Sequence, residues 1–343
     1  MNCKDILVSV IMCVYNTPQD YLNEAVQSIL GQTHDNFELL IVDDHSDSDL
    51  YQSGLFKDKR ITIIKNDANY GPAYSRNRAL DIAKGKYIAI MDSDDISLPN
   101  RLEEQIKFME ENANIVACGT WFQHFGAKTN IVKKEIDDNE YYRCCLLFGN
   151  SPTLLNPSAM IRRDTLLEGN IRYDEELRFG EDYKMWVELS QLGIVTNIHQ
   201  VLVKYRIHDG QVTKDNAKKR QSLSYDAKVK LMQLNMLGKD FSKDERDMFV
   251  SYFGDKKVDP IKYYNLLKKI SVANKTSQTY DQEKLDFVLN EQWERKLLTI
   301  RNPFLLLKVI AKIKEERKHI CLIKRKQLKR KFSKSNEYNK LNH

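Results

Sequence analysis

The first 120 residues alternate between two hydrophobic periodicities, and this alternation constrains the fold more than any other feature. Leu7–Tyr15 (LVSVIMCVY) is a continuous apolar run of strand length, rich in β-branched residues. Unbroken apolar character suits a strand covered on both faces, as in a parallel sheet. Thr17 then reads as an N-cap, with Pro18 at the first helical position. Leu22, Val26, Ile29 and Leu30 form a helical stripe, and Gly31 ends it. The pattern recurs. Strands are expected at 37–42, 60–65, 86–91 and 115–120, with helices at 72–83 and from Pro99 to about Glu111. Such spacing predicts an α/β fold with a doubly wound, mostly parallel sheet flanked by helices. Ligands of these sheets bind beyond the carboxyl ends of the strands. The acidic clusters of this chain lie at those ends.

Residues 121–210 are less regular and include an expected helix at 181–192. Residues 215–300 read as helical, and 303–332 as a basic amphipathic stretch. At 343 residues, the chain is long enough for about two folding units. The six cysteines are scattered with no CxxC pair, so neither a disulfide framework nor a cysteine zinc site is expected and a reducing cytoplasm fits. No signal peptide is expected, because Lys4 and Asp5 precede only a short apolar run. No apolar run is long enough to span a bilayer.

Charge is distributed unevenly. The net charge is +6, yet residues 301–343 alone carry +11, which leaves −5 on the preceding 300. A mildly acidic body with a strongly basic end suggests an anionic partner, either a lipid surface or nucleic acid.

The strongest chemical signal is Asp92-Ser93-Asp94-Asp95, following the strand YIAIM. Three carboxylates in four residues repel one another, and a divalent cation offsets that repulsion. Mg²⁺ or Mn²⁺ needs only one or two carboxylates when substrate phosphates supply other ligands. The alternative is a solvated acidic turn with Asp95 capping a helix. Asp43-Asp44-His45-Ser46 ends the second strand; an acid there can accept from a base or ribose, or serve an Asx turn. Gly180-Glu181-Asp182 opens a helix, where a carboxylate favours the dipole or acts as a general base. His208, in Tyr205-Arg206-Ile207-His208, is either structural or a metal ligand brought to the acids by the fold. There is no GxGxxG after the first strand, no GxxxxGK[ST], no HExxH and no GxSxG.

Taken in order, SVIMCVYN (9–16), FELLIVDDHSDSD (37–49), NYGPAYSRNRAL (69–80), GKYIAIMDSDDISLPNRLEEQ (85–105), GEDYKMWVELSQLG (180–193) and YRIHDGQVT (205–213) resemble the family 2 glycosyltransferases of GT-A fold. The resemblance covers about residues 5–213. It implies a nucleotide-sugar-binding and catalytic domain over 1–213, then a helical region over 214–300 and a basic tail over 301–343. Tyr15 and Asn16 match residues beside the base, and Asp44 the acid that hydrogen-bonds it, usually uracil. Asn69, Gly71 and Arg76 match the loop and helix shaping the nucleotide pocket. Asp92 and Asp94 match a DxD motif, the first near the ribose and the second on the metal bridging the diphosphate, with Ser93 between them on the nucleotide side. Asp95 is expected near the donor sugar. Asp182 matches the base, Glu181 a supporting or acceptor role, and His208 a late histidine on the metal or diphosphate.

The implied reaction is a single inverting displacement, dependent on Mn²⁺ or Mg²⁺, from a nucleotide sugar, expected to be UDP-linked, to a glycan or lipid-linked acceptor. A role in surface polysaccharide synthesis follows by analogy. Two departures stand out. No QxxRW follows the base, which argues for the non-processive bacterial type, and position 13 is Cys where relatives often carry a small hydroxyl or Pro. The rival readings are a nucleotidyltransferase making nucleotide sugars, which would carry a Gly-rich basic N-terminal loop, and a non-catalytic binder. Nucleic acid is not expected as a partner, since the body is acidic and lacks a known module. The stretch 303–332 sets Phe304, Leu305, Val309 and Ile313 among lysines and arginines. It is expected either to lie on an anionic membrane surface at the inner face of the cell membrane or to pack on the body as an ordinary helix.

Overall fold

The structure is a computed structural model. It describes residues 3–149, 154–176, 180–208, 216–238, 240–250 and 258–300, together with 302, 304 and 309. The chain divides into two compact units. The first comprises residues 1–239 with 274–285, and the second 240–273 with 286–343.

In chain order, the first unit contains β1 (Val8–Val14), α1 (Gln19–Leu30), β2 (Phe37–Asp43), β3 (Ile61–Lys65), α2 (Pro72–Ile82), β4 (Tyr87–Asp92), β5 (Ile96–Ser97) and α3 (Arg101–Glu111). It continues with β6 (Ile115–Gly126), β7 (Ile131–Val132), α4 (Asn139–Leu146), β8 (Met160–Arg162), α5 (Arg163–Glu168), α6 (Glu181–Leu192), β9 (Ile194–Ile207) and α7 (Asn216–Met236). Among the described residues the strands form one mixed sheet, ordered β3-β2-β1-β4-β8-β6-β9-β5, with β7 paired to β6. The half from β3 to β4 is wholly parallel. The parallel half is what the alternation predicts, and the whole is the GT-A architecture that the resemblance implies.

Alternate residues of β1 enter two cores. Val8, Val10, Met12 and Val14 pack with Leu22, Val26 and Ile29 of α1 and Leu102, Ile106 and Met109 of α3. Ile11 packs on the opposite face with Ala73 and Ala79 of α2 and Trp186 and Leu189 of α6. Burial on both faces explains why β1 is continuously apolar. Each buried aliphatic side chain contributes roughly 1.5–3 kcal/mol.

Register then positions the chemistry. Cys13 of β1 is level with Val42 on one side and Asp92 on the other, so the carboxyl ends of the three central strands finish together. The irregular middle hides a long strand. β9 runs parallel to β6 through three register shifts, and pairs antiparallel with β5 on its other edge. It therefore carries Arg206 and His208 to the turn that follows β4.

The second unit is helical in its described residues, with α8 (Lys243–Val250), most of α9 (Pro260–Ser277) and most of α10 (Gln282–Leu298). Leu266, Leu267, Ile270, Val288 and Leu289 are buried in it, and Lys269 pairs with Glu245 at 2.6 Å. No helix among the described residues is long and apolar enough to cross a membrane. The expected amphipathic segment 303–332 lies almost wholly outside the described residues.

Candidate active site

Asp92, Asp94 and Asp95 each offer one carboxylate oxygen, and these oxygens lie within 4.8 Å of one another. Burial pushes the Asp92 carboxyl up to about 6; Arg76 opposes the shift, while Asp94 and Glu181 add to it. Asp95 is fully buried, and burial together with Asp92 and Asp94 raises its carboxyl well above the usual range. One Asp95 oxygen accepts from the Arg206 backbone N–H at 2.8 Å. The other, Oδ2, is buried without a hydrogen-bond partner among the described residues. A crowded set of oxygen donors with one left unsatisfied fits a hard divalent cation such as Mg²⁺ or Mn²⁺. Asp95, expected at the donor sugar, is fully buried beside Asp92 and Asp94.

The opposite wall comes from α2 and α6. Gly71 caps α2 at φ +93, a left-handed conformation that favours glycine. The helix carries Arg76 inward, where its guanidinium donates to Glu181 and lies 3.6 Å from Asp92 Oδ1. Arg76 also lies over the Tyr173 ring, 5.3 Å from its centroid. Burial lowers the proton affinity of Arg76, but Glu181 leads a group of neighbours that outweighs it and keeps the guanidinium charged. The chain enters α6 through Gly180 at φ +80, so Glu181 and Asp182 occupy the first turn. Asp182 Oδ1 accepts from the Tyr183 backbone N–H at 2.9 Å. Burial, then Glu181, push the Asp182 carboxyl up to about 7 against the pull of Arg76. Asp226 of α7 adds to that shift and lies against Gly180.

On the nucleotide side, the buried Asp44 carboxylate accepts from Asn66 Nδ2 at 2.7 Å, Tyr70 N at 3.0 Å and Gly71 N at 2.8 Å. It thereby shapes the loop carrying Asn69, which is half-buried. Tyr15 stands 53% exposed at the end of β1. Asn16, at φ +50, exchanges hydrogen bonds with Asp47 at 2.8 and 2.9 Å. Thr17 does not cap α1. Pro18 occupies that position without a side-chain bond, and Thr17 Oγ1 instead pairs with Ser93 Oγ at 2.6 Å. This shared hydroxyl contact fastens the end of β1 to the acidic turn.

His208 Nε2 lies 2.8 Å from Asp94 Oδ2, so the fold brings the late histidine to the acids. The structure thus gathers Arg76, Asp92, Glu181 and Asp182 around one guanidinium, with Asp94, Asp95 and His208 on the adjoining turn. The Tyr15, Asn16 and Asp44 group lies at the neighbouring strand ends. Sequence reading gave no role to Asn66, Arg101 or Arg206. Arg101 is fully buried behind the turn and donates to the carbonyls of Ile90 at 2.9 Å and Ala159 at 3.2 Å. Its proton affinity is lowered by burial, to about 10. Its only signal in sequence is an arginine at the start of an otherwise ordinary amphipathic helix.

A family profile described as "Glycosyl transferase family 2" matches residues 9–168. An uncharacterized glycosyltransferase of Methanocaldococcus jannaschii is 36% identical over 225 residues, spanning 64% of this chain and 77% of that protein. The chain belongs to glycosyltransferase family 2. Another relative of this family 2 glycosyltransferase is Escherichia coli WfaP, a UDP-Glc:α-D-GlcNAc-diphosphoundecaprenol β-1,3-glucosyltransferase, 32% identical over 228 residues, 63% of this chain and 84% of that one. Among solved structures, Staphylococcus aureus TarS 1–349 in complex with UDP-GlcNAc aligns with a TM-score of 0.56 at 16% identity, covering 86% of this chain and 90% of that chain. At this identity the likeness is one of fold.

Proposed function

We propose that this glycosyltransferase moves a sugar from a UDP-linked donor to a hydroxyl of a glycan or lipid-linked acceptor, in one inverting displacement. The observation that carries the reading is the Arg76 guanidinium, which meets Asp92 on the donor side and Glu181 beside the base. It ties the two halves of the chemistry into one crevice. WfaP uses UDP-Glc and a diphosphoundecaprenol-linked acceptor, and a TarS structure holds UDP-GlcNAc; both favour a UDP donor here, and WfaP favours a lipid diphosphate acceptor.

In this reading Tyr15, Asn16, Asn69 and Ser93 line the nucleotide, while Asp44 and Gly71 set the loop around it. Asp94 and His208 would hold Mg²⁺ or Mn²⁺ with the diphosphate, and Asp92 would lie near the ribose. Such a cation, when bound, would supply positive charge to the departing diphosphate. Asp182 takes the acceptor proton as the hydroxyl oxygen bonds the anomeric carbon and the bond to the diphosphate breaks. Attack comes from the face opposite the leaving group, so the configuration inverts and no covalent sugar–enzyme intermediate is required. A carboxyl held near neutrality suits this task, since a base is most effective with a pKa near working pH. The same reading gives the chain a role in surface polysaccharide synthesis, with the basic stretch 303–332 resting on anionic lipid.

The test is donor turnover. Purified protein with Mn²⁺ and a panel of UDP-sugars is expected to bind at least one of them by calorimetry and to release UDP when acceptor is added. Absence of binding by every UDP-sugar would remove the reading.

A further inference from the structure

The turn that holds the acids is braced from outside by one side chain. Arg206, on β9, donates from Nε to the Asp94 carbonyl at 2.6 Å, and its backbone N–H reaches Asp95 Oδ1 at 2.8 Å. Its outer nitrogen is paired with Glu24 of α1. The guanidinium lies between two rings, 4.0 Å from the Tyr21 centroid and 4.3 Å from that of Phe125. Two residues on, His208 bonds Asp94 and meets Tyr21 edge-on at 5.4 Å. One aromatic ring thus supports both the arginine and the histidine. Successive residues of an extended strand face opposite ways, so 206 and 208 share a side.

We propose that Arg206 is the positioning residue of the Asp92–Asp95 turn, a brace that fixes Asp94 and His208 in cation-accepting geometry. The inference rests on the metal-and-diphosphate reading of that turn. Arg206 does not need to touch the nucleotide: its Nε bond fixes the main chain at Asp94, and Glu24 and the rings fix the guanidinium. Outer groups that orient ligand side chains affect cation affinity without contacting the cation. A planar fork is required, because lysine keeps the charge but cannot donate from the Nε position while pairing outward.

The experiment is calorimetric titration of UDP, with and without Mn²⁺, into the wild type, Arg206→Lys and Glu24→Gln. Arg206→Lys is expected to lose about tenfold or more in Mn²⁺-dependent UDP affinity, with metal-free UDP affinity unchanged. Glu24 is half-exposed, so Glu24→Gln is expected to fold normally and to lose affinity in the same direction by a smaller factor. This second variant decides the matter if Arg206→Lys does not fold. Full Mn²⁺-dependent affinity in the folded variants would overturn the proposal, as would equal losses with and without the metal. A wild type whose UDP affinity ignores Mn²⁺ would overturn the underlying reading, and the brace with it.

Discussion

Arg76 and Glu181, 105 residues apart in sequence, are joined by a direct ion pair in the interior. Both are buried, so each depends on the other. Removing one partner of a buried pair costs about 3–5 kcal/mol, because a charge is left uncompensated. Arg76→Met is therefore expected to lower the unfolding free energy by about that amount, measured by urea denaturation. Adding Glu181→Gln should restore part of the loss, since the stranded carboxylate is then gone.

Asp182→Asn is expected to retain UDP-sugar binding while transfer falls by about 10²-fold or more. Unchanged turnover would remove Asp182 from the role of base. With the wild-type carboxyl pushed up to about 7, transfer should climb with pH through that value, because only the ionised form accepts a proton. Stability carries the opposite sign. An acid whose pKa is higher in the folded state contributes stability below its unfolded value and loses it as pH rises through the folded one. Melting scans should show the wild type losing ground to Asp182→Asn between about pH 4 and about pH 7.

Asp94→Ala and His208→Ala should each weaken metal-dependent UDP binding, with the aspartate the more severe. The two side chains meet at 2.8 Å, so the double variant is expected to lose less than the sum of the singles. Equal UDP affinity with and without Mn²⁺ in the wild type would count against the whole assignment.

Asp44→Ala strands the donors of Asn66, Tyr70 and Gly71, which the carboxylate now accepts. Unsatisfied buried groups cost about 1–3 kcal/mol each, so both melting temperature and UDP affinity should fall. Asp44→Asn should retain more of the former than the latter if the loop, and not the fold, is what the acid shapes. Gly71→Ala should also destabilise, because its φ of +93 is costly for a residue with a side chain.

Truncation after about residue 300 should abolish sedimentation with anionic liposomes while UDP-sugar binding by the remaining chain persists. Each basic residue near anionic lipid contributes about 1 kcal/mol, and the last 43 residues hold a net +11. Persistent liposome binding after truncation would place the contact elsewhere.

The parallel half of the sheet was legible because its strands are buried on both faces. Val8–Val14 and Tyr87–Asp92 have apolar runs that little else explains. The expected helix at 181–192 coincides with α6, bounded by Gly180 and Gly193. Thr17 was misread for a local reason: its hydroxyl is used across the fold, by Ser93, and not by the adjacent helix. β9 escaped notice because its burial is irregular, with Gln200 and His199 exposed in its middle. Missing that strand also meant missing Arg206, since its significance lies in what β5 and α1 bring beside it. Arg101 is hidden for the same reason, as main-chain carbonyls from β4 and the segment before β8 are its partners.

The Arg76 bridge also governs recombination. Its cation comes from the first 120 residues and its anions from both sides of that boundary. Splicing the N-terminal half of one relative onto the C-terminal half of another preserves the crevice only when the incoming helix supplies an acid at position 181. Chimeras that alter acceptor choice by exchanging residues beyond 120 should therefore carry this carboxylate across unchanged.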